Sequence, residues 1–315
     1  MRFLTLAAAF ALFGFVLANA AISALVAVAW PWLRTRGLRS GALFVLRMLP
    51  SAGSAFLVMA LVLPSFWLFE PRGGDESGVV ALAVLAAAAV ALAGAGLRRG
   101  AISWRETRRV ERAWATAAVP EAHLGVAVPS YRIASDAPLA ALVGVVRPRL
   151  FVTDGFLGSL SLEERQAVLD HEAAHLASRD NLKRLLMTAA PDWLTLTGGG
   201  DALEHAWETA AEQEADDRAA GPDRARALDV AGALLKAARL APAARTAASH
   251  FSRGGPVGGR VSRLLAAPAP PPRHVLECAF GAGVVLAAML LAGPMLHGVY
   301  ATAEAAITAL NYGGW

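Results

Sequence analysis

The sequence contains one cysteine, two lysines and few charged residues of any kind. The single cysteine, Cys278, excludes an internal disulfide. Charged residues make up 17% of the 315 residues, hydrophobic residues make up 56%, and the mean hydropathy is +0.47. Soluble domains carry about 25% charged residues, so this composition excludes an ordinary soluble protein and predicts an integral membrane protein. The sequence has no phosphate-binding glycine loop and no internal repeat.

Four apolar stretches are long enough to cross a bilayer, which requires about 20 residues. They cover about residues 3–32, 48–69, 78–97 and 275–296. Ala18-Asn19-Ala20 resembles a signal-peptidase site, but the apolar character continues to Trp32. We therefore expect a retained first span rather than a cleaved signal peptide, and an α-helical membrane protein with about four transmembrane helices.

The charges between these stretches predict the orientation in the membrane. Arginines cluster between spans one and two and again after span three, whereas the connection between spans two and three has no excess of positive charge. The two clusters are Arg34, Arg36, Arg39 and Arg47, and Arg98, Arg99, Arg105, Arg108, Arg109 and Arg112. The positive-inside rule places both clusters in the cytoplasm. Because topology accounts for the arginines and for the pI of about 9.8, we expect no direct nucleic-acid binding.

The expected domain organisation follows from this topology. Residues 1–97 hold three transmembrane helices, residues 98–274 form a cytoplasmic domain, and residues 275–315 form the fourth helix with a short outer tail. Both termini are expected outside a bacterial-type cell membrane that the chain crosses several times.

A short motif in the expected cytoplasmic domain predicts its chemistry. His171-Glu172-Ala173-Ala174-His175 spells H-E-x-x-H, and the capping pair Ser161 and Glu164 predicts a helix that begins just before it. Residues four apart share one helical face, so the two imidazoles can bind one Zn²⁺ ion. Glu172 can then act as general base toward water. The motif predicts a zinc-dependent peptidase.

A second predicted helix supplies the third ligand, because catalytic zinc sites usually have three protein ligands. This helix ends at Gly221-Pro222 and carries four carboxylates spaced four residues apart: Glu204, Glu208, Glu212 and Asp216. We predict Glu212 as the ligand, with Glu208 in reserve, and Asp216 as a group that orients a ligand histidine. The alternative is a solvated acidic face that binds no metal.

Short strand-like runs precede the zinc-binding helix. They cover residues 124–128, 131–134, 141–146 and 150–153. The stretch 144–153 predicts a hairpin, so the domain is expected to be mainly α with a small β hairpin or sheet. Zinc peptidases often hold an extended substrate against an edge strand. The residues predicted for that role are Leu150, Phe151, Val152 and Thr153; the alternative is a hairpin with a structural role only.

Three segments, Arg149–Leu157, Leu160–His175 and Arg179-Asp180-Asn181, resemble the BlaR/MecR family of membrane zinc peptidases. The pairing of Glu212 with Asp216 matches that family's third-ligand motif. The resemblance implies a gluzincin-like peptidase domain that cleaves a DNA-binding repressor, or itself, in signalling. It also adds Asp180 to Asp216 as a group that supports the ligands.

The sequence differs from the best-known BlaR/MecR members, which carry an extracellular penicillin-binding sensor after the last span. We therefore expect the signal to come from a separate sensor partner, the lipid bilayer or the short outer segments. A homodimer is a further possible partner arrangement. One alternative is a housekeeping membrane protease of the HtpX or CAAX-prenyl-protease type. Another is a catalytically silent transducer, against which the intact Glu172 argues because a structural zinc site needs no general base.

Overall fold

The computed structural model describes residues 2–69, 79–121, 124–240 and 257–266, together with the single positions 298, 301 and 305. This part of the chain is mostly helical with one small sheet, which confirms the expected secondary-structure content. The helices are α1 (Arg2–Leu33), α2 (Ser40–Leu57), α3 (Leu63–Phe69), α4 (Val79–Ala117), α5 (Asp154–Ser159), α6 (Leu162–Ser178), α7 (Asp180–Ala189), α8 (Gly199–Ala220), α9 (Arg224–Leu240) and α10 (Val257–Leu265). The strands are β1 (Ala118–Pro120), β2 (Ser130–Ile133), β3 (Ala140–Val143) and β4 (Arg149–Thr153).

Three helical stretches are long and apolar enough to cross a membrane: Phe3–Arg36, Ser40–Phe69 and Leu82–Ala117. The second begins at Ser40 rather than Met48. A π-helical turn at Val58–Val62 joins α2 to α3, so the helical stretch continues to Phe69. The third continues from the apolar stretch through the arginine-rich segment as one helix of 39 residues. The predicted fourth span, residues 275–296, lies outside the described residues.

The chain at the end of α7, around Ala189 and Pro191, contacts all three apolar helices. Asn19 Nδ2 of α1 donates to the Pro191 carbonyl oxygen at 2.9 Å, and Ser51 Oγ of α2 donates to the same oxygen at 3.2 Å. On α4, a Cβ added to Gly96 would lie 2.5 Å from the Ala189 carbonyl oxygen, so only glycine permits this approach. Each contact lies about 17 residues, or roughly 26 Å of helix, from the far end of its apolar helix. That length is close to the roughly 30 Å of a bilayer core.

The four-stranded sheet positions the H-E-x-x-H helix. Its strand order is β1-β2-β4-β3, with β2 and β4 parallel and the other two pairs antiparallel. One face of the sheet packs against α6 and α9 through buried residues such as Leu150, Val152 and Val168. The other face packs against the end of α4, where Phe151 lies 5.5 Å from Trp114 between ring centroids. The sheet is therefore buried between the H-E-x-x-H helix α6 and the long helix α4.

The prediction that Leu150, Phe151, Val152 and Thr153 form an edge strand is wrong. They form β4, which pairs with β2 on one side and β3 on the other, and each is at most 1% exposed. Both faces of β4 are covered, which explains its unbroken apolar run Leu150-Phe151-Val152. The strand next to the H-E-x-x-H helix is β3, and residues 144–148 form the turn of the β3–β4 hairpin. The predicted run at 124–128 forms no strand.

A buried arginine joins α2 to the segment that sits against the apolar helices. Arg47 is 1% exposed; its Nη1 donates to Asp192 Oδ2 at 2.5 Å and its Nε donates to Glu204 Oε1 at 2.9 Å. Its Nη2 donates to the Met187 carbonyl oxygen at 2.9 Å. Asp192 is fully buried. The arginine therefore neutralises a carboxylate that has no access to solvent.

We expect Arg47→Met to lower the free energy of unfolding by about 3–5 kcal/mol, because it leaves the Asp192 carboxylate buried without its counter-charge. Chemical denaturation of the detergent-solubilised chain, followed by tryptophan fluorescence, measures this loss. Arg226→Gln is the matched control: Arg226 pairs with Asp170 where both side chains are partly exposed, so the expected loss is below about 1 kcal/mol. Equal losses in the two variants would contradict the role given to Arg47.

Candidate functional site

Helix α6 carries the H-E-x-x-H motif and begins where the sequence predicts. Ser161 Oγ accepts from the Glu164 amide at 3.2 Å, and Glu164 Oε2 accepts from the Ser161 amide at 2.8 Å. This capping box confirms the predicted start of the helix. The helix ends at Arg179, whose φ of 53° lies in the left-handed region and turns the chain into α7. Both ends are thus fixed by local interactions.

The structure brings together the three predicted metal ligands. His171 Nε2 and His175 Nε2 lie 3.1 Å apart. The two Glu212 carboxylate oxygens lie 3.5 Å from His171 Nε2 and 3.6 Å from His175 Nε2. Ligands at about 2.0–2.1 Å in a zinc tetrahedron are roughly 3.3–3.4 Å from one another. The observed spacings bracket this value, so the three side chains fit a zinc ion.

Two further carboxylates contact the opposite ring nitrogens of the histidines. Asp216 Oδ1 lies 3.1 Å from His171 Nδ1, and Asp180 Oδ2 lies 2.7 Å from His175 Nδ1. A carboxylate at Nδ1 fixes the ring orientation and leaves Nε2 for the metal. The structure therefore places Asp216 and Asp180 where they can support the two ligands.

Arg260 on α10 completes this arrangement, and the sequence analysis missed it. Its Nε and Nη2 donate to the two Asp216 oxygens at 2.8 and 2.5 Å, and its Nη1 lies 3.0 Å from Glu212 Oε2. The side chain is 2% exposed. Nothing in the local sequence around Arg260 signals this contact, because its partners lie more than 40 residues earlier on another helix.

The charges at the site favour a bound cation. Burial raises the pKa values of Glu212 and Asp216, but His171 and Arg260 outweigh burial and bring both pKa values to about 2. Burial lowers the pKa of His171, whereas hydrogen bonds and charges of Asp216 and Glu212 raise it to about 9. The metal-free site thus holds two ionised carboxylates, and a metal ion would replace the positive charge of the imidazolium.

Glu172 lies between the ligands and strand β3. Its Oε2 accepts from the Leu142 amide at 3.1 Å, whereas its Oε1 is buried without a hydrogen-bond partner among the described residues. Burial raises the pKa of Glu172, although the charges of the two histidines oppose this effect. The backbone thus holds Oε2, whereas Oε1 accepts no hydrogen bond from the described residues.

The other carboxylates of the α8 stripe have separate partners. Glu208 Oε1 lies 3.3 Å from Arg184 Nε, and Glu204 pairs with Arg47. Glu212 and Asp216 are 3% and 0% exposed. The stripe is therefore not the solvated face that the alternative interpretation predicted, and Glu208 is not part of the ligand cluster.

Two cavities adjoin the ligand set. One of about 20 Å³ is lined by groups that include Glu172, His175, Arg184 and Glu212. The other has a volume of about 400 Å³, and its lining is largely apolar. Its residues include Leu142, Val145, Val146, His175, Leu176 and Leu182. Since His175 lines both cavities, the larger one leads directly to the ligand set.

Comparison with known proteins gives one family match. A family model described as Peptidase family M48 matches residues 105–254. This range contains the three predicted ligands His171, His175 and Glu212 and ends before Arg260. The match supports a metallopeptidase; it does not confirm the more specific resemblance to BlaR/MecR. No curated protein and no solved structure matches the chain.

We expect Glu212→Gln to lose bound zinc, because a neutral amide replaces the only anionic ligand. Asp216→Asn should weaken zinc binding about 10- to 100-fold, as expected when a group that orients a ligand is lost. Metal analysis of the purified chain and competition with a zinc chelator measure both effects. Glu208→Gln, one helical turn from Glu212, is the matched control and should keep its zinc. Loss of zinc from that variant instead would make Glu208 the ligand.

Proposed function

We propose that the protein is a zinc-dependent endopeptidase, attached to a bacterial-type cell membrane by its apolar helices, with its catalytic site at the cytoplasmic face. The observation that carries this proposal is the position of Glu172, which is buried beside the three ligands and has one carboxylate oxygen without a donor in the described part of the chain. A zinc site with a structural role has no need of such a base. The family match to a metallopeptidase supports the same conclusion.

The residues of the site account for peptide hydrolysis. A bound zinc ion would polarise the substrate carbonyl and lower the pKa of water. Glu172 accepts a proton from the attacking water as the new carbon–oxygen bond forms and the carbonyl electron pair moves onto oxygen. It then delivers this proton to the amide nitrogen as the carbon–nitrogen bond breaks. Burial raises the pKa of Glu172 above its ordinary value, which is the direction that favours uptake of a proton.

The cavity of about 400 Å³ supports an apolar substrate residue next to the cleaved bond. Its walls include Val145 and Val146 from the turn after β3; Val145 is half-buried and Val146 is exposed. The Leu142 backbone is already engaged, because its amide donates to Glu172 and its carbonyl oxygen accepts from Asn181 Nδ2 at 3.0 Å. We therefore infer that the substrate passes along the turn and places an apolar side chain in the cavity.

The contacts between α2 and α8 favour a signalling protease over a constitutive one. Ser40, the first residue of α2, donates from its amide and its hydroxyl to the Glu214 carboxylate at 2.8 and 2.7 Å. Arg47 of α2 pairs with Glu204. Both acidic residues lie on α8, which carries Glu212, so a displacement of α2 would act on a metal ligand. We infer from this and from the resemblance to BlaR/MecR that the substrate is a DNA-binding repressor or the chain itself.

We expect Glu172→Gln to lower proteolysis at least about 100-fold while zinc stays bound, because the variant lacks the base but keeps all three ligands. Wild type and variant are expressed in membranes of a native-like host, and the new amino termini of all cellular proteins are compared. Glu163→Gln makes the same change at an exposed position of α6 and should retain activity.

The identity of the cleaved proteins separates the candidate roles. A repressor cleaved by the wild type alone would support the signalling role, and a broad set of membrane proteins would support the housekeeping alternative. Wild-type turnover by Glu172→Gln would remove Glu172 from the mechanism.

A further inference from the structure

Two arginines, Arg260 and Arg184, lie close to the metal ligands and contact different groups. Arg260 contacts Asp216, which lies at Nδ1 of His171, the ring nitrogen directed away from the metal position. Arg260 is therefore behind the ligands. Arg184, on α7, lines the cavity of about 20 Å³ together with Glu172 and the ligands. Arg184 thus borders the same cavity as Glu172, the proposed base.

The size of this cavity places Arg184 close to the reacting atoms. A cavity needs roughly 10–15 Å³ to hold one water molecule, so a volume of about 20 Å³ admits one water and little else. Glu172, His175, Glu212 and Arg184 all border that volume. A water molecule activated by Glu172 is consequently within the reach of the Arg184 side chain.

The Arg184 guanidinium has a donor, Nε, that makes no hydrogen bond within the described part of the chain. Its Nε is buried without a hydrogen-bond partner among the described residues, although Glu208 Oε1 lies 3.3 Å away as an ion-pair partner. The group also lies over the Trp207 ring, 5.6 Å from its centroid. Glu208 and Trp207 thus contact the cation, while its Nε has no hydrogen-bond partner among the described residues. Unsatisfied buried donors are rare and costly, which indicates a ligand for this one.

We propose that Arg184 is a catalytic residue that stabilises the negative charge on the carbonyl oxygen of the substrate during attack by water. This inference rests on the proposed peptidase function. The carbonyl oxygen gains charge as the carbon–oxygen bond to water forms, and the guanidinium donates hydrogen bonds to it. Arginine stays charged throughout, so it transfers no proton and Glu172 remains the only base. Such donors, fixed in place before reaction, favour the charged transition state over the neutral substrate.

The competing explanation is that Arg184 only joins α7 to α8 through Glu208. Glu208→Gln tests this directly, because it breaks the same ion pair and leaves the arginine in place. A structural role requires both substitutions to have the same effect. A catalytic role requires Arg184→Gln to be far more harmful than Glu208→Gln.

The first experiment is steady-state cleavage of fluorescent casein by the full zinc-loaded chain in detergent. We expect Arg184→Gln to lower kcat about 100- to 1000-fold with KM changed less than about threefold, as for the loss of one oxyanion donor. Arg184→Lys should recover part of kcat, because lysine keeps the positive charge but lacks the planar set of guanidinium donors. Zinc content should equal that of the wild type in both variants, and Glu208→Gln should keep kcat within about threefold.

The second experiment measures binding and does not depend on turnover. The zinc-loaded chain is titrated with N-phosphoryl-Leu-Trp, whose tetrahedral phosphoryl group is anionic, and with the hydroxamate of the same dipeptide. Arg184→Gln should weaken the phosphoryl compound roughly 10- to 100-fold, the value of a charge-assisted hydrogen bond. The hydroxamate should lose less than about threefold, since it has no tetrahedral anion.

The outcomes separate the two proposals. If the wild type cleaves casein and Arg184→Gln keeps its kcat, loses zinc or merely copies Glu208→Gln, the assignment of Arg184 is overturned and the peptidase function stands. If the wild type cleaves no protein but binds the phosphoryl compound through Arg184, the peptidase function fails and Arg184 stands as an anion-binding residue of the site. Equal losses for both compounds in Arg184→Gln would also overturn the assignment.

Discussion

The structure depends on burying four ionisable side chains at one point. His171, Glu212, Asp216 and Arg260 are each at most 3% exposed. Removal of such groups from water costs several kcal/mol for each ion unless they are paired with good geometry. Their pairing requires helices α6, α8 and α10 to meet with their side chains within hydrogen-bond distance. The packing of the whole domain is therefore tied to the geometry that also suits a metal ion.

Local signals made much of the site predictable. The spacing of His171 and His175 and the capping box at Ser161 depend on helical geometry alone, so a few residues suffice to read them. Glu212 was found by the same periodicity on a second helix, combined with the need for a third ligand. Each of these features requires only neighbours within one helix.

The parts that sequence reasoning missed all depend on contacts between distant elements. Strand order decides which strand is an edge, and an apolar run such as β4 has the same composition whether it is central or lies beside a substrate. Arg260 and Arg184 look like ordinary arginines until packing reveals their partners. Arg47 lies in a cluster that topology alone explains, yet its side chain is a buried counter-ion for Asp192. Three-dimensional proximity, rather than residue type, defines these roles.

Helix α4 has a mechanical consequence. It is unbroken for 39 residues, and its Gly96 backbone lies against the Ala189 backbone with no space for a side chain between them. Trp114 lies about 27 Å further along α4 than Gly96. Its ring packs on Phe151 in β4, the strand beside β3. A tilt of about 5° at Gly96 would move Trp114 by roughly 2.4 Å over that length. Because the Leu142 amide of β3 donates to Glu172, such a tilt of α4 would be transmitted through the sheet to this carboxylate.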